Sequence, residues 1–146
     1  MDIVKANGRI DVCIALRTAV FVREQGVDIA LEVDEKDLEG SACEHFLMVE
    51  DGKPIGTFRG FFEEGRTVHL QRLAILKEYR GRGFGRAALR FAEEHFLREG
   101  ADKITLGAQV AAMPFYEKCG YECVSDVFDD AGIPHRTMEK RLYPEG

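Results

Sequence analysis

Residues 68–91, VHLQRLAILKEYRGRGFGRAALRF, decide the fold because they join a strand pattern, a glycine turn and a helical pattern. The apolar run ends at Leu76, glycines follow at positions 81, 83 and 85, and helical spacing of apolar residues begins at Phe84. Glycines allow backbone N–H groups to come close to a ligand, and a helix that begins there adds the positive end of its dipole. The segment therefore predicts a phosphate site between a strand and a helix.

Three arginines flank this turn, so the local charge is positive in a chain whose formal net charge is -6. A phosphate loop of the nucleotide hydrolases would end in Gly-Lys-Ser/Thr, but Arg86 and Ala87 follow the last glycine. The dinucleotide fingerprint fits the spacing better, yet it requires the turn directly after the first strand, and residues 77–80 intervene here. A surface turn without a ligand is the remaining alternative.

Two ordered motifs carry a family resemblance. Residues 80–85, RGRGFG, resemble the Gln/Arg-x-x-Gly-x-Gly/Ala signature of the GCN5-related N-acetyltransferase (GNAT) superfamily. Residues 109–121, QVAAMPFYEKCGY, are similar to its Asn-x-x-Ala-x-x-Phe-Tyr-Glu-Lys-x-Gly-Phe segment, and the similarity covers roughly residues 45 to 142. Residues 21–27, FVREQGV, with the acidic segment after them, resemble the bacterial ElaA/YjcF branch. The resemblance implies an α/β, GNAT-like fold.

Length and composition agree with one domain over residues 1–146, because 146 residues with 45% hydrophobic content suffice for one core. The excess of 26 acidic over 20 basic residues argues against a nucleic-acid partner. No stretch approaches membrane-spanning length, so no membrane contact is expected. The four cysteines form no Cys-x-x-Cys pair and have no histidine at metal-ligand spacing, which predicts reduced thiols in a cytoplasmic protein and no metal site.

The hydrophobic pattern predicts a mixed, mostly antiparallel central sheet flanked by helices. The predicted helices are 9–23, 84 to a cap at Gly100, and 111–118; the predicted strands are 46–50, 55–62, 67–76, 103–108, 121–128 and 135–142. Residues 27–44 are acidic and without a clear period. If the strand 67–76 alternates regularly, His69, Gln71 and Leu73 share one face. The C-terminal strands would leave a sheet edge through which a homodimer could form.

The resemblance implies acetyl-CoA as the cosubstrate. In the superfamily, the backbone of the strand before the turn pairs with the pantetheine arm, and the turn amides hold the pyrophosphate. The cofactor contacts implied in this way are Leu73, Ala74 and Ile75 on the strand, Arg80, Gly81, Arg82, Gly83, Phe84, Gly85 and Arg86 in the turn, and Gln109 after the next strand. Gln109 stands where the superfamily often has asparagine.

Two residues are candidates for catalysis. An alkylammonium with a pKa near 10.4 must lose a proton before it attacks a thioester, and His69 is the best base on the strand, since an ordinary imidazole with a pKa of about 6.5 is mostly neutral. Several superfamily members have a glutamate at the site matching His69 or Gln71, and this chain does not. The resemblance makes Tyr116 the general acid beside the thioester sulfur. The alternatives are a histidine satisfied within the sheet and a core aromatic residue.

The acidic segment offers candidates for acceptor binding. Glu32, Asp34, Asp37, His45 and His135 could line a pocket that attracts a cation and relays its proton; the alternative is a solvated loop in which Asp34 or Asp37 caps a turn. The function that follows is acetyl transfer from acetyl-CoA to a primary amine of a small molecule, by direct attack in a ternary complex. The alternative function is a non-catalytic acyl-CoA-binding sensor or regulatory protein.

Overall fold

The computed structural model describes residues 1–38 and 40–144, which contain eight strands and four α-helices. The strands are β1 (Asp2–Lys5), β2 (Glu44–Glu50), β3 (Lys53–Phe62), β4 (Thr67–Ile75), β5 (Lys103–Gln109), β6 (Glu122–Cys123), β7 (Phe128–Asp130) and β8 (Ile133–Arg141). The helices are α1 (Ile10–Arg17), α2 (Ile29–Glu32), α3 (Phe84–Arg98) and α4 (Met113–Lys118), and a π-helical segment, Thr18–Glu24, continues α1. Among the described residues no helix combines the length and the apolar content that crossing a membrane requires.

The strands form one mixed sheet in the order β1-β2-β3-β4-β5-β8-β6, and β7 also pairs with β8. All neighbouring strands are antiparallel except β4 and β5, which are parallel. This parallel pair is short, because only Thr67–His69 of β4 pair with Lys103–Thr105 of β5. The predicted mixed, mostly antiparallel sheet is confirmed, and its two middle strands separate after three residues.

Helices cover both faces of the sheet. The amphipathic helix α3 buries Ala88, Leu89, Ala92 and Phe96, and the Phe96 ring lies edge-on to Phe46 with the ring centroids 6.1 Å apart. Successive residues of a strand point to opposite faces, so Leu47 faces the other way and packs with Cys13 and Leu16 of α1. The predicted helices over 9–23 and from 84 to Gly100 are confirmed.

The regular alternation predicted for the strand 67–76 is wrong, because β4 contains a bulge. The β3–β4 register runs from Thr57 opposite Ala74 to Arg59 opposite Gln71, so β4 has one residue more than β3 in this interval. The bulge lies at Arg72, whose φ is 59°. After the bulge, each residue of β4 points to the opposite face of the sheet from the one that regular alternation predicts. Leu73 therefore packs against the core that contains Phe46 and Phe96 instead of sharing a face with Gln71.

The C-terminal strand predicted over residues 121–128 is divided into β6 and β7 in the structure. Thr137 N donates a hydrogen bond of 2.8 Å to Ser125 Oγ, where a continuous ladder would offer a backbone carbonyl. A serine side chain that replaces a backbone partner interrupts strand pairing. The sequence pattern also did not predict β1, which pairs with β2 at the edge of the sheet.

Buried charges hold the acidic segment against α1 and β3. Arg17 of α1 and Arg59 of β3 are each 1% exposed, which is rare for arginine and requires full pairing. We call the cluster formed by Arg17, Arg59, Glu32, Asp34 and Asp37 the buried charge network. Its arginine–carboxylate contacts are short, from 2.6 Å between Arg17 Nε and Glu32 Oε1 to 3.0 Å between Arg17 Nη2 and Asp37 Oδ2.

Asp37 is the centre of this network, since its carboxylate accepts hydrogen bonds from both arginines. Asp34 and Asp37 also form a reciprocal capping box around the 3-10 turn Glu35–Asp37, as the capping alternative predicted, but Asp37 is buried and not in a solvated loop. Burial alone would raise the pKa of Asp37, but hydrogen bonds from Arg17 and the Asp34 backbone, with the charges of both arginines, lower it to about 2. The folded protein therefore favours the ionised form of Asp37.

We predict that Asp37→Asn destabilises the protein by about 3 kcal/mol at pH 6, because the buried Arg17 and Arg59 lose the negative charge of a carboxylate that they share. The folded pKa of Asp37, about 2, lies below its ordinary value of 3.8. The stabilisation by the carboxylate is therefore complete above about pH 4 and is lost as the pH falls toward 2. Urea unfolding at several pH values should show the difference from wild type shrinking over this range.

Asp11→Asn is the matched control, because Asp11 is an exposed residue of α1 outside the network. It should change the free energy of unfolding by less than about 0.5 kcal/mol. Equal losses in the two variants, or a difference that does not change below pH 4, would contradict the assignment of Asp37.

Candidate active site

A cavity of about 960 Å³ lies where β4 and β5 separate. Residues 70–75 of β4 line it and have no β5 partner, so this edge of β4 has no strand partner among the described residues. An unpaired strand edge can bind an extended ligand through main-chain hydrogen bonds. The cavity therefore offers the strand-like contact that was predicted for Leu73, Ala74 and Ile75.

The glycine turn continues from this edge to the first turn of α3. Gly81 and Gly83 adopt φ values of 78° and 82°, a left-handed conformation that favours glycine, and no heavy atom lies within 4 Å of the position of a Cβ at either residue. Gly83 caps α3 without a side-chain hydrogen bond, which leaves the first N–H groups of the helix available to an anion. A Cβ at Gly85 would lie 3.0 Å from Phe115 Cζ, so a larger residue there would require the Phe115 ring to shift by a few tenths of an ångström.

The arginines of the turn have different roles. Arg80 Nε donates to the Ile75 carbonyl at 2.9 Å, and its two terminal nitrogens donate to the carboxylate of Glu24 in the π-helical segment. Arg82 lies over the ring of Tyr79, with 5.3 Å between its guanidinium carbon and the ring centroid. All the predicted cofactor contacts line the cavity except Arg82, whose charge lies outside the lining.

Gln109 lines the cavity and forms a contact that the sequence did not reveal. Its Nε2 donates a hydrogen bond of 2.8 Å to Oε1 of Gln25, a residue that follows the π-helical segment and also lines the cavity. The two glutamines are 84 residues apart in the chain, so no local pattern could have paired them. Gln25 therefore joins Gln109 among the candidate binding residues.

Tyr116 lines the cavity from α4. Burial raises the pKa of its phenol to about 12, and the nearby Cys119 thiol adds a smaller effect in the same direction. The phenol therefore stays protonated at neutral pH and can donate its proton or a hydrogen bond. Within the described part of the chain its hydroxyl forms no hydrogen bond, and the proton can be directed to a ligand.

His69 also lines the cavity, at the last position where β4 pairs with β5. Its Nδ1 lies 2.7 Å from Oε1 of Glu63, which belongs to the loop before β4. Its ring lies beside that of Phe61 on β3, with the centroids 5.3 Å apart. Sequence reasoning missed Glu63, since the Glu-Gly pair at 64 and 65 indicated only a turn.

The five residues predicted to form an acceptor pocket do not line one cavity. Glu32 and His135 line it, whereas Asp34, Asp37 and His45 do not. The two aspartates are held by guanidinium groups of the buried charge network. His45 is 1% exposed, and its Nε2 lies 2.9 Å from a backbone carbonyl of the 3-10 turn before β2. Burial lowers the pKa of His45, so its ring is neutral and has a structural role.

Arg72 is a cavity residue that the sequence did not single out. Its Nε is buried, lies 3.4 Å from Glu32 Oε1 and forms no hydrogen bond with the described residues. His135 of β8 pairs with Gln109 of β5, and its Nδ1 lies 2.7 Å from the Ile133 carbonyl oxygen, to which a protonated Nδ1 donates. Glu32, Arg72 and His135 therefore give the cavity polar groups besides His69.

One group of side chains among the described residues could hold a metal ion. The ligand atoms of Glu44, His95 and Glu99 lie within 4.8 Å of one another, outside the cavity lining. The Lys5 ammonium already lies 3.3 Å from Glu44 Oε1 and supplies positive charge there. The expectation that the chain binds no metal stays a prediction.

Comparisons with known proteins agree with this geometry. The model of the acetyltransferase (GNAT) domain family matches residues 19–142. The Bacillus subtilis protein YjcF, an uncharacterized N-acetyltransferase, is 38% identical over 126 residues, which cover 86% of this chain and 87% of YjcF.

Two solved structures share the fold. Escherichia coli ElaA superposes with a TM-score of 0.82 at 24% identity, over 95% of this chain and 98% of ElaA. An aminoglycoside 6'-N-acetyltransferase in complex with coenzyme A superposes with a TM-score of 0.76 at 18% identity, over 100% of this chain and 99% of that one. Sequence family, strand separation and glycine turn lead to one conclusion: the chain belongs to the GNAT acetyltransferase family.

Proposed function

We propose that this N-acetyltransferase transfers an acetyl group from acetyl-CoA to the primary amine of a small molecule, by direct attack in a ternary complex. One observation carries the proposal: the edge of β4 without a β5 partner is followed, after the 3-10 turn Lys77–Tyr79, by the glycine turn and the first N–H groups of α3. Residues 73–75 of this edge and the glycines of the turn thus line one cavity. The complex of an aminoglycoside 6'-N-acetyltransferase with coenzyme A supports this use of the fold.

The line of backbone groups matches the chemistry of coenzyme A. The pantetheine arm contains amide groups that can pair with residues 73–75 as an added strand. The pyrophosphate is an anion that suits the amides of Gly81 and Gly83 and the positive end of the α3 dipole. Arg86, which lines the cavity in the first turn of α3, adds a fixed positive charge.

The acceptor must lose a proton before it attacks. His69 is the proposed base, since a neutral imidazole on the cavity wall can accept a proton from an ammonium. Glu32 and His135 line the cavity and are proposed as acceptor contacts. The non-catalytic alternative depended on the absence of a carboxylate from β4. The Glu63 carboxylate, 2.7 Å from His69, weakens that argument.

Tyr116 is proposed to assist the departure of the thiolate. A thiolate with an ordinary pKa of about 8.5 differs from a phenol of pKa about 12 by roughly 5 kcal/mol for complete proton transfer. A hydrogen bond from the Tyr116 hydroxyl, which strengthens as negative charge develops on sulfur, costs less free energy than complete proton transfer. The C–N bond forms as the C–S bond breaks, the sulfur receives the Tyr116 proton, and the second proton of the attacking nitrogen restores the phenol.

Direct attack is favoured over an acetyl-cysteine intermediate. Cys119 lines the cavity, but burial raises the pKa of its thiol, and only a thiolate is an effective nucleophile. No base is hydrogen-bonded to this thiol among the described residues, so nothing there activates it. The four cysteines are unpaired, which supports the proposed cytoplasmic location.

The proposed reaction predicts thiol release that depends on both acetyl-CoA and an amine. Purified protein should release free coenzyme A with at least one member of a panel of small primary amines, and mass spectrometry should detect the acetylated amine. The matching N,N-dimethylated amines are the control, because they cannot form a stable amide. Tight coenzyme A binding without turnover on any amine would support the sensor function instead.

We predict that Gly83→Val weakens acetyl-CoA binding at least about tenfold, because a branched side chain at a φ of 82° displaces the amides that hold the pyrophosphate. Gly65→Val is the matched control, since Gly65 has a φ of 69°, has equally open space around a Cβ and lies outside the cavity. Calorimetric titration should show lost affinity in the first variant alone. Wild-type affinity in Gly83→Val would contradict the pyrophosphate site.

We predict that Tyr116→Phe lowers kcat by about 10² or more, because it removes the donor to the leaving sulfur. The affinity for acetyl-CoA should change little, since the ring remains in place. Tyr143→Phe is a suitable control, because Tyr143 is 74% exposed and lies outside the cavity. Unchanged turnover in Tyr116→Phe, measured at saturating substrates, would remove this residue from the mechanism.

A further inference from the structure

A carboxylate and an imidazole meet at the cavity wall. Glu63 Oε1 lies 2.7 Å from His69 Nδ1, within hydrogen-bond distance. The histidine side chain is 26% exposed, and the carboxylate, at 43%, lies toward the outside of the molecule. Because His69 lines the cavity and Glu63 does not, the carboxylate acts on the ring from outside the binding site.

This contact determines which ring nitrogen can accept a proton. An ionised carboxylate is only an acceptor, so the nitrogen that faces it must carry a hydrogen. In the neutral ring, Nδ1 is then protonated and Nε2 holds the free lone pair. The imidazole therefore has its basic nitrogen on the side opposite Glu63.

The ring is also held in orientation by its neighbours in the sheet. Phe61 is the cross-strand partner of His69, and their ring planes are 33° apart. On the other side, His69 pairs with Thr105 in the last rung before β4 and β5 separate. Packing and the hydrogen bond together place this ring at the closed end of the gap between the two strands.

Other charged groups near His69 are already paired or lie further away. Lys103 and Glu139, on the neighbouring strands β5 and β8, bind each other at 3.4 Å. The Lys36 ammonium lies over the ring of Phe61, 5.0 Å from the ring centroid. Among the described residues, Glu63 alone forms a hydrogen bond with the His69 ring.

We propose that Glu63 is a positioning residue for acetyl transfer, which holds His69 in the tautomer whose Nε2 accepts the proton of the acceptor ammonium. This inference rests on the proposed function. The ammonium gives one proton to Nε2, and its nitrogen keeps the lone pair that then attacks the thioester carbon. Glu63 stays ionised and stabilises the imidazolium, which later releases its proton to water.

The test uses a double-mutant cycle of Glu63→Ala and His69→Ala, with an acceptor amine from the panel. Glu63→Ala should lower kcat about tenfold or more, with unchanged affinity for acetyl-CoA. In the His69→Ala background the same change should have almost no effect, because the two residues act as one unit. Glu64→Ala is the control, since Glu64 is an exposed neighbour outside the cavity.

Glu63→Gln separates the hydrogen bond from the charge. Its amide oxygen can still accept from Nδ1, so this variant should keep the tautomer and retain more activity than Glu63→Ala. Long-range ¹H–¹⁵N spectra report the tautomer directly, and His69→Ala identifies the ring signals. Wild type and Glu63→Gln should show a protonated Nδ1, whereas Glu63→Ala should show a mixture of tautomers or a protonated Nε2.

The outcomes distinguish this inference from the proposed function. An equal loss of kcat from Glu63→Ala in both backgrounds, or a tautomer that Glu63→Ala does not change, would overturn the positioning role while acetyl transfer stands. If wild type binds coenzyme A and acetylates no amine, the proposed function fails. The spectra then still decide whether Glu63 sets the tautomer of His69.

Discussion

The pairing of two buried arginines with three carboxylates is the interaction on which the rest of the structure depends. Arg17 and Arg59 come from a helix and a strand, and they hold a short acidic segment in which Ile29, Leu31, Val33 and Leu38 are exposed. Charges that are taken out of water are tolerated only when each has partners in good geometry. This requirement fixes the path of residues 27–38 across the sheet and brings Glu32 to the wall of the cavity.

The site itself results from an incomplete pairing of strands. β4 and β5 share three rungs and then separate, so the sheet supplies a cleft and a row of backbone groups at once. The glycine turn extends this row to α3, while Tyr116 and His69 face the same space from α4 and β4. Under the proposed function, cofactor contacts would come mainly from the backbone and the chemistry from side chains.

Local signals predicted three of the four α-helices, most strands and the glycine turn, because glycine spacing and apolar periods act over a few residues. Contacts between distant segments could not be predicted in this way. The pairing of Gln25 with Gln109 and of Asp37 with Arg59 depends on tertiary structure alone. The bulge at Arg72 was hidden because one extra residue changes the register without changing composition. The same limit explains why the sequence leaves both an acceptor pocket and a solvated loop open for the acidic segment.

The separation of β4 from β5 also has a consequence for the protein without bound coenzyme A. A strand edge without a partner is a template on which any extended chain can add, including another copy of the same protein. A bound pantetheine arm would occupy that edge in the manner of a missing strand. Under the proposed function, the supply of coenzyme A would therefore govern not only the rate of the enzyme but also its resistance to unfolding and aggregation.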